Sequence, residues 1–314
     1  MSKCLYCYQP LLNGEVDFHV RCSKRFFGVN QAPVLSFGQA ELKQMAQRII
    51  SQSIAVTGVQ PKLSLSLEKI DSLHSRLTIV GLWGDYILKP PTERFHQLPE
   101  NEDLTMKLAA LCGIRTAEHS LIRLASGELA YLTKRFDRDK NRKIHVEDLC
   151  QLTGTLTEHK YRGSMEKIGK TIKGFSTNTG LDALSFFELT IFCFLTGNAD
   201  MHLKNFSLMK TAFGEVQLTP AYDLVATKLA MTKDLEEMAL TINGKKSRLK
   251  KIDFNKLGES LEISEKAMES VYQKFSNKID GIWTLVNQSF LSKSLSDDYL
   301  NLILERGQKI GINR

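Results

Sequence analysis

Asn198-Ala199-Asp200-Met201-His202-Leu203-Lys204-Asn205 puts an aspartate five residues before an asparagine, directly after a strongly apolar stretch. Eighteen residues beyond Asn205, Ala221-Tyr222-Asp223 supplies a second aspartate in an apolar setting. Phosphoryl transfer needs this set: one carboxylate to orient and deprotonate an attacking hydroxyl, and an amide oxygen with a second carboxylate to hold magnesium. Asp200 is the candidate base. Asn205 and Asp223 are the candidate magnesium ligands, because this hard cation prefers oxygen. His202 lies inside the same catalytic segment and is expected to brace it by hydrogen bonding, with no chemical step of its own. An aspartate that merely caps a helix is the plain alternative for Asp200, and it leaves the three matching partners unexplained.

Upstream of this segment, Lys89 ends a strand in Ile87-Leu88-Lys89-Pro90, and Glu102 lies in the first turn of the helix that follows. The Asp-x-x-x-x-Asn spacing is that of protein-kinase catalytic loops. A strand lysine paired with a helix glutamate is how such enzymes hold the α- and β-phosphates of ATP. Ser53 to Lys62 is expected to form a lid over those phosphates, with backbone amides around Thr57, Gly58, Val59 and Gln60 as the cradle and Lys62 as a nearby cation. A simple turn between helix and strand is the other reading of that segment.

The periodicity predicts a short helix over 42–50 and strands at 63–67, 77–80 and 85–89. A helix over 100–111 stopped by Gly113 comes next, then a hairpin around Ser126-Gly127. The second half changes character: 181–195 is a nearly all-apolar helix, and three helical patterns run from about Ile263 to the end. Strands first and helices later imply an α+β protein with two lobes, the N-terminal one a sheet with a helix and the C-terminal one mostly helical. The expected organisation is a small Cys/His module over 1–30, an N-lobe over 31–137 and a helical C-lobe over 138–314.

At 314 residues, with 42% hydrophobic and 25% charged side chains, the composition is that of a folded globular protein. The most apolar stretch, Leu189 to Leu195, is far short of a membrane span. The first residues lack the apolar core of a signal peptide, so the expected location is the cytoplasm. The net charge is +7. Its densest run, Lys245-Lys246-Ser247-Arg248-Leu249-Lys250-Lys251, could meet phosphates or an acidic surface, or could simply be solvated. Three of the six cysteines fall in the first 22 residues. Cys4-x-x-Cys7 and His19-x-x-Cys22 make two tight pairs of the kind tetrahedral zinc requires; the alternative is that the first pair is incidental and His19 a surface residue. Cys112, Cys150 and Cys193 read as buried thiols.

Together the segments Thr57-Gly58-Val59-Gln60-Pro61-Lys62, Ile87-Leu88-Lys89-Pro90, Glu100-Asn101-Glu102, Arg135-Phe136-Asp137-Arg138, His145 to Gln151, Asn198 to Asn205 and Pro220-Ala221-Tyr222-Asp223 resemble the HipA-type toxin kinases of bacterial toxin–antitoxin systems. The resemblance implies a two-lobed protein-kinase-like fold, ATP and Mg²⁺ as cofactors, and serine/threonine phosphorylation of a protein, family members acting on aminoacyl-tRNA synthetases. It makes Asp200 the catalytic aspartate and Asn205 and Asp223 the magnesium ligands. Lys89 would contact ATP phosphates, and Phe136 would lie at the hinge near the adenine. Lys134, two residues before Phe136, stands where longer members usually have glutamate. The family also phosphorylates its own phosphate-binding loop; Thr57 and Ser53 are the hydroxyls available here, because Ala55 replaces the expected serine. The short Cys/His module looks like the split variant, in which a separate small protein supplies the N-terminal subdomain and a DNA-binding antitoxin completes the system. No membrane contact and no sequence-specific nucleic-acid contact by this chain are implied. A small-molecule phosphotransferase of the aminoglycoside or choline kinase type shares Asp-x-His-x-x-Asn, yet the mixed and partly basic second half lacks the acidic pocket a cationic substrate needs. A zinc-stapled module without catalysis leaves Lys89, Asp200, Asn205 and Asp223 unexplained together.

Overall fold

A computed structural model describes residues 2–52, 62–71, 74–81, 83–139, 142–232 and 235–313, with two compact units. The first comprises Met1–Asp103, Ala117–Arg135 and Gln288–Phe290; the second comprises Leu104–Thr116, Phe136–Asn287 and Leu291–Arg314.

The first unit opens with helix α1 (Val20–Phe27) and helix α2 (Gln39–Gln52), then strands β1 (Leu63–Lys69), β2 (Ser75–Val80) and β3 (Tyr86–Lys89). Helix α3 (Leu98–Leu111) starts here, and β4 (His119–Arg123) and β5 (Leu129–Lys134) complete the sheet. The strand order is β2-β1-β3-β5-β4, and every neighbouring pair is antiparallel. Alternation decides which face is inward: Leu63 and Leu65 are buried while Ser64 and Ser66 are half-buried. The register sets Leu88 against Leu63 on one side and against Leu132 on the other. Gly84 enters β3 so close to β1 that an added Cβ would lie 2.5 Å from the Leu65 carbonyl oxygen, so only glycine fits.

In the second unit, β6 (Arg138–Asp139) and β7 (Arg142–Lys143) form a small ribbon, and β8 (Val146–Asp148) leads into α4 (Leu149–Leu152). Helices α5 (Met165–Phe175) and α6 (Thr179–Leu195) follow, then β9 (Ser207–Lys210) and β10 (Val216–Leu218), which pair with β8 in the order β10-β9-β8. Helices α7 (Thr227–Ala230), α8 (Lys251–Ser260), α9 (Glu265–Ser276), α10 (Ile279–Gln288) and α11 (Lys293–Ile310) make up the rest. The C-terminal half of helix α6 is almost wholly apolar because it is enclosed: Phe186, Phe187, Ile191, Phe192, Cys193 and Phe194 are buried. Cys112 and Cys150 are buried too. No helix among the described residues is long and apolar enough to cross a membrane.

Helices α1, α5 and α8 were not among the expected elements, although Met165, Ile168, Gly169 and Ile172 form a buried helical stripe on α5. α8 begins inside the basic run, where Asp253 accepts from the Lys250 amide and from Lys245 Nζ, drawing the chain into a helix. The run is not freely solvated: Lys245 pairs with Asp253, Lys246 with Glu236 and Lys251 with Glu269. Those internal partners reduce the positive field available to a polyanion.

The first turn of α3 carries Glu100, whose carboxyl burial pushes from 4.5 up to about 7. A carboxyl with a raised folded value stabilises fully below about 4.5, and that contribution is lost as pH rises through about 7. Glu100→Gln is expected to stabilise the protein at pH 8 by about 2 kcal/mol, or roughly 4–8 °C in Tm, and to leave it nearly unchanged at pH 5. Thermal scans across that pH range check it; an equal shift at both ends would discard the assignment.

Candidate active site

In the first unit, the antiparallel pairing of β3 with β5 holds Lys89 opposite Tyr131, with its Nζ 5.4 Å from that ring's centroid. Lys89 donates to Glu102 Oε1 of α3 at 2.5 Å, with the two side chains 4% and 0% exposed. Taking both charges out of water is costly, and their mutual attraction at this distance offsets that cost, so the pair fixes the two side chains against each other without a large net gain in stability. Lys62 is exposed just before β1, and Lys134, at the end of β5, lies 3.6 Å from Glu118 on the surface. Ser53, Thr57, Gly58, Val59 and Gln60 lie outside the described residues.

In the second unit the loop after α6 is built by its own hydrogen bonds. Gly197 takes a left-handed φ of +67°, and its missing Cβ would otherwise lie 2.6 Å from a Leu302 methyl. That turn ends α6 and starts the Asn198–Asn205 segment. Asn198 Oδ1 accepts from the Asp200 amide at 3.2 Å, and the Ala199 amide donates to Thr227 Oγ1 at 2.8 Å. The Asp200 carbonyl accepts from the His202 amide at 2.9 Å and from Asn205 Nδ2 at 3.0 Å. The Asp-x-x-x-x-Asn spacing thus closes a ring in which the asparagine ties down the backbone of the aspartate. Lys204 bonds Asp148 at 2.7 Å, and its carbonyl accepts from Tyr222 Oη at 2.8 Å. Asp223, next to Tyr222, is held at a left-handed φ of 60°, a conformation a non-glycine residue keeps only when its surroundings impose it. Phe136 packs on Tyr222 with ring centroids 5.5 Å apart.

Asp200 and Asp223 share an electrostatic neighbourhood. Burial raises the Tyr161 hydroxyl above its usual range, and its hydrogen bond to Asp200 and the charges of Asp200 and Asp223 raise it further. Burial lowers the His202 imidazole, while both carboxylates oppose that shift. His202 does its bracing with its backbone and its ring: the imidazole meets Tyr161 edge-on at 4.9 Å, and Nδ1 is buried without a hydrogen-bond partner among the described residues. Tyr161 had no sequence signal, since it lies 39 residues from Asp200, yet its hydroxyl donates to Asp200 Oδ1 at 2.6 Å. Asn198 and Thr227 were likewise missed as anchors; only the first falls within the decisive segment.

Among solved structures the chain is similar to HipA of Shewanella oneidensis, determined in complex with HipB and operator DNA, with a TM-score of 0.68 at 21% identity over 90% of this chain and 75% of that one. It is also similar to the Helicobacter pylori proinflammatory kinase CtkA, with a TM-score of 0.53 at 17% identity over 72% and 88% of the two chains. The fold is the α+β, protein-kinase-like one, a sheet with a helix in one unit and mostly helices in the other. Sequence narrows this to a family: residues 54–283 match the HipA-like C-terminal domain, and the chain belongs to that family. Its relatives include the Sinorhizobium fredii "Putative kinase Y4dM", 32% identical over 244 residues, 73% of this chain and 59% of the relative. A Haemophilus influenzae protein named "Putative kinase" is 30% identical over 72% of this chain and 68% of its own length. The Shewanella oneidensis serine/threonine-protein kinase toxin HipA is 29% identical over 60% of this chain and 47% of its own length. The matched segment thus spans roughly half to two thirds of these relatives.

Proposed function

We propose that this chain is an ATP-dependent serine/threonine protein kinase and the toxin of a toxin–antitoxin system. The observation that carries the reading is the closed Asp200–Asn205 loop, whose carboxylate shares its surroundings with Asp223. The donor set fits magnesium: carboxylates and an amide oxygen, with Asn205 Nδ2 already engaged so that its oxygen is the atom left for a hard cation. Mg·ATP, when bound, supplies the transferable phosphoryl group and the cationic charge that neutralises it. Asp200 accepts and orients the proton of the attacking hydroxyl; Asn205 and Asp223 hold the cation. Lys89, kept extended by Glu102, offers its ammonium to the phosphates, and Phe136 offers an apolar face to the adenine. Thr57 and Ser53 are the proposed sites of self-phosphorylation, with Thr57 to Gln60 and Lys62 as the phosphate loop.

The substrate is proposed to be a component of translation such as an aminoacyl-tRNA synthetase, and the protein to act in the cytoplasm. A DNA-binding antitoxin is the proposed partner, supported by the complex of Shewanella HipA with HipB and operator DNA. A small protein equivalent to the N-terminal subdomain of longer members is the second. Intact mass measurement after incubation with Mg·ATP tests the activity. A phosphate mapped to Thr57 or Ser53 is expected, and its absence would shift the reading to small-molecule phosphotransfer.

Tyr161→Phe removes the one hydroxyl that bonds the Asp200 carboxylate among the described residues. Tyr161 is half-exposed, so water can replace the bond in the folded state; the expected result is a roughly tenfold slower phosphate transfer, about 1.4 kcal/mol of lost positioning, at nearly unchanged Tm. Initial rates decide it, and an unaltered rate would remove Tyr161 from the site.

A further inference from the structure

The Cys/His module takes no part in the proposed phosphoryl transfer, yet its geometry is specific. Cys4 and Cys7 lie on a tight turn closed by the Tyr8 amide donating to the Cys4 carbonyl at 2.9 Å. His19 is the N-cap of α1, and the Cys22 amide donates back to the His19 carbonyl at 3.0 Å, so both side chains leave the same first turn. The four ligand atoms lie within 4.8 Å of one another, and Cys4, His19 and Cys22 are buried. His19 Nδ1 is 3.3 Å from Cys7 Sγ and 3.6 Å from Cys22 Sγ. Tetrahedral zinc with sulfur at about 2.3 Å and nitrogen at about 2.0–2.1 Å puts neighbouring ligands about 3.5–3.8 Å apart. The remaining ring nitrogen is already fixed: His19 Nε2–H donates to the Pro10 carbonyl at 2.9 Å, the kind of outer bond that aims a ligating imidazole. Three thiolates and one imidazole make a closed, soft set that leaves no position for water, which suits a structural zinc ion.

The same turn reaches α3. Tyr8, directly after Cys7, is held at φ 64° and is 1% exposed, and its hydroxyl donates to Asp103 Oδ2 at 2.6 Å. Asp103 Oδ1 accepts from His119 Nδ1 at 2.7 Å, and the His119 ring stacks on Tyr131, over which Lys89 sits. Asp103 is the residue next to Glu102.

We propose that Cys4, Cys7, His19 and Cys22 bind one structural zinc ion, and that the turn it closes sets the position of α3, and so of Glu102 beside Lys89, through the Tyr8–Asp103 hydrogen bond. The relevance of that position to nucleotide binding rests on the kinase reading; the zinc site and the coupling do not, and their test uses no activity. Metal analysis of the full chain purified without chelator is expected to find one zinc per chain, kept by His19→Cys and lost by Cys22→Ser. Hydrogen exchange by mass spectrometry then compares wild type with Tyr8→Phe, which leaves all four ligands in place. Tyr8→Phe is expected to retain its zinc and to speed exchange of the α3 amides about tenfold, the scale of one lost hydrogen bond to a charged group, with α6 unchanged. Absence of zinc, or a disulfide among Cys4, Cys7 and Cys22, overturns the metal site. Zinc retained with unaltered α3 exchange overturns the coupling.

Discussion

Asp200→Ala is expected to abolish phosphate incorporation from Mg·ATP. A positioned general base contributes on the order of 10²–10⁴ in rate, so the residual activity should fall to the background of an intact-mass or radiolabel assay. The structure explains why this loss should come without unfolding. The Asp200 backbone, not its side chain, anchors the loop: its amide bonds Asn198, and its carbonyl accepts from His202 and Asn205. The side chain receives a hydrogen bond from Tyr161, a residue 44% exposed and able to turn to water when the carboxylate is gone. Stability should therefore change by no more than about 0.5 kcal/mol, as is typical of surface changes. Asp200→Asn sharpens the test, because it keeps the shape but cannot take a proton. Phosphate transfer that persists in either variant would remove Asp200 as the base.

Lys89→Met should do two separate things. It removes the ammonium assigned to the phosphates, and it leaves Glu102, 0% exposed, as a buried charge without its Lys89 partner. Breaking a buried ion pair from one side costs about 3–5 kcal/mol, an effect that chemical denaturation resolves easily. Glu102→Leu should cost a similar amount by leaving the buried Lys89 without its Glu102 partner. In the double variant no buried charge remains at this position, so stability should return to near the wild-type value, since replacing a whole buried pair by apolar residues is often neutral or better. Phosphate transfer should stay lost in the double variant, because no cation is restored. That divergence separates the structural role of the pair from its chemical role. Additive destabilisation would mean that the two residues are not coupled in solution, and recovered activity would mean that Lys89 does not serve the phosphates.

Much of this chain was legible from local pattern. Period-two alternation over Leu63 to Leu67 and the Ser126-Gly127 turn mark sheet strands because a strand buried on one face must alternate. The apolar run before Gly197 marks an enclosed helix for the same kind of reason. The chemistry of the Asn198–Asn205 loop was equally local: a five-residue spacing lets an amide reach back to the carbonyl of the aspartate. The Cys-x-x-Cys and His-x-x-Cys pairs each sit on one turn, so their ligand character shows in spacing alone.

What tertiary structure alone decided is of another kind. No short-range pattern joins Tyr161 to Asp200, Tyr8 to Asp103 or Lys204 to Asp148, which are 39, 95 and 56 residues apart. The strand order β2-β1-β3-β5-β4 and the burial that lifts Glu100 also depend on which surfaces meet. Helix α8 carries a weak apolar periodicity, and packing of Phe254 and Leu257 supplies the stabilisation that propensity does not. The residue types and spacings of this protein determined which groups could do chemistry; the folded chain decided which of them are desolvated, held and brought within a hydrogen bond, because those properties belong to contacts between segments and not to any one segment.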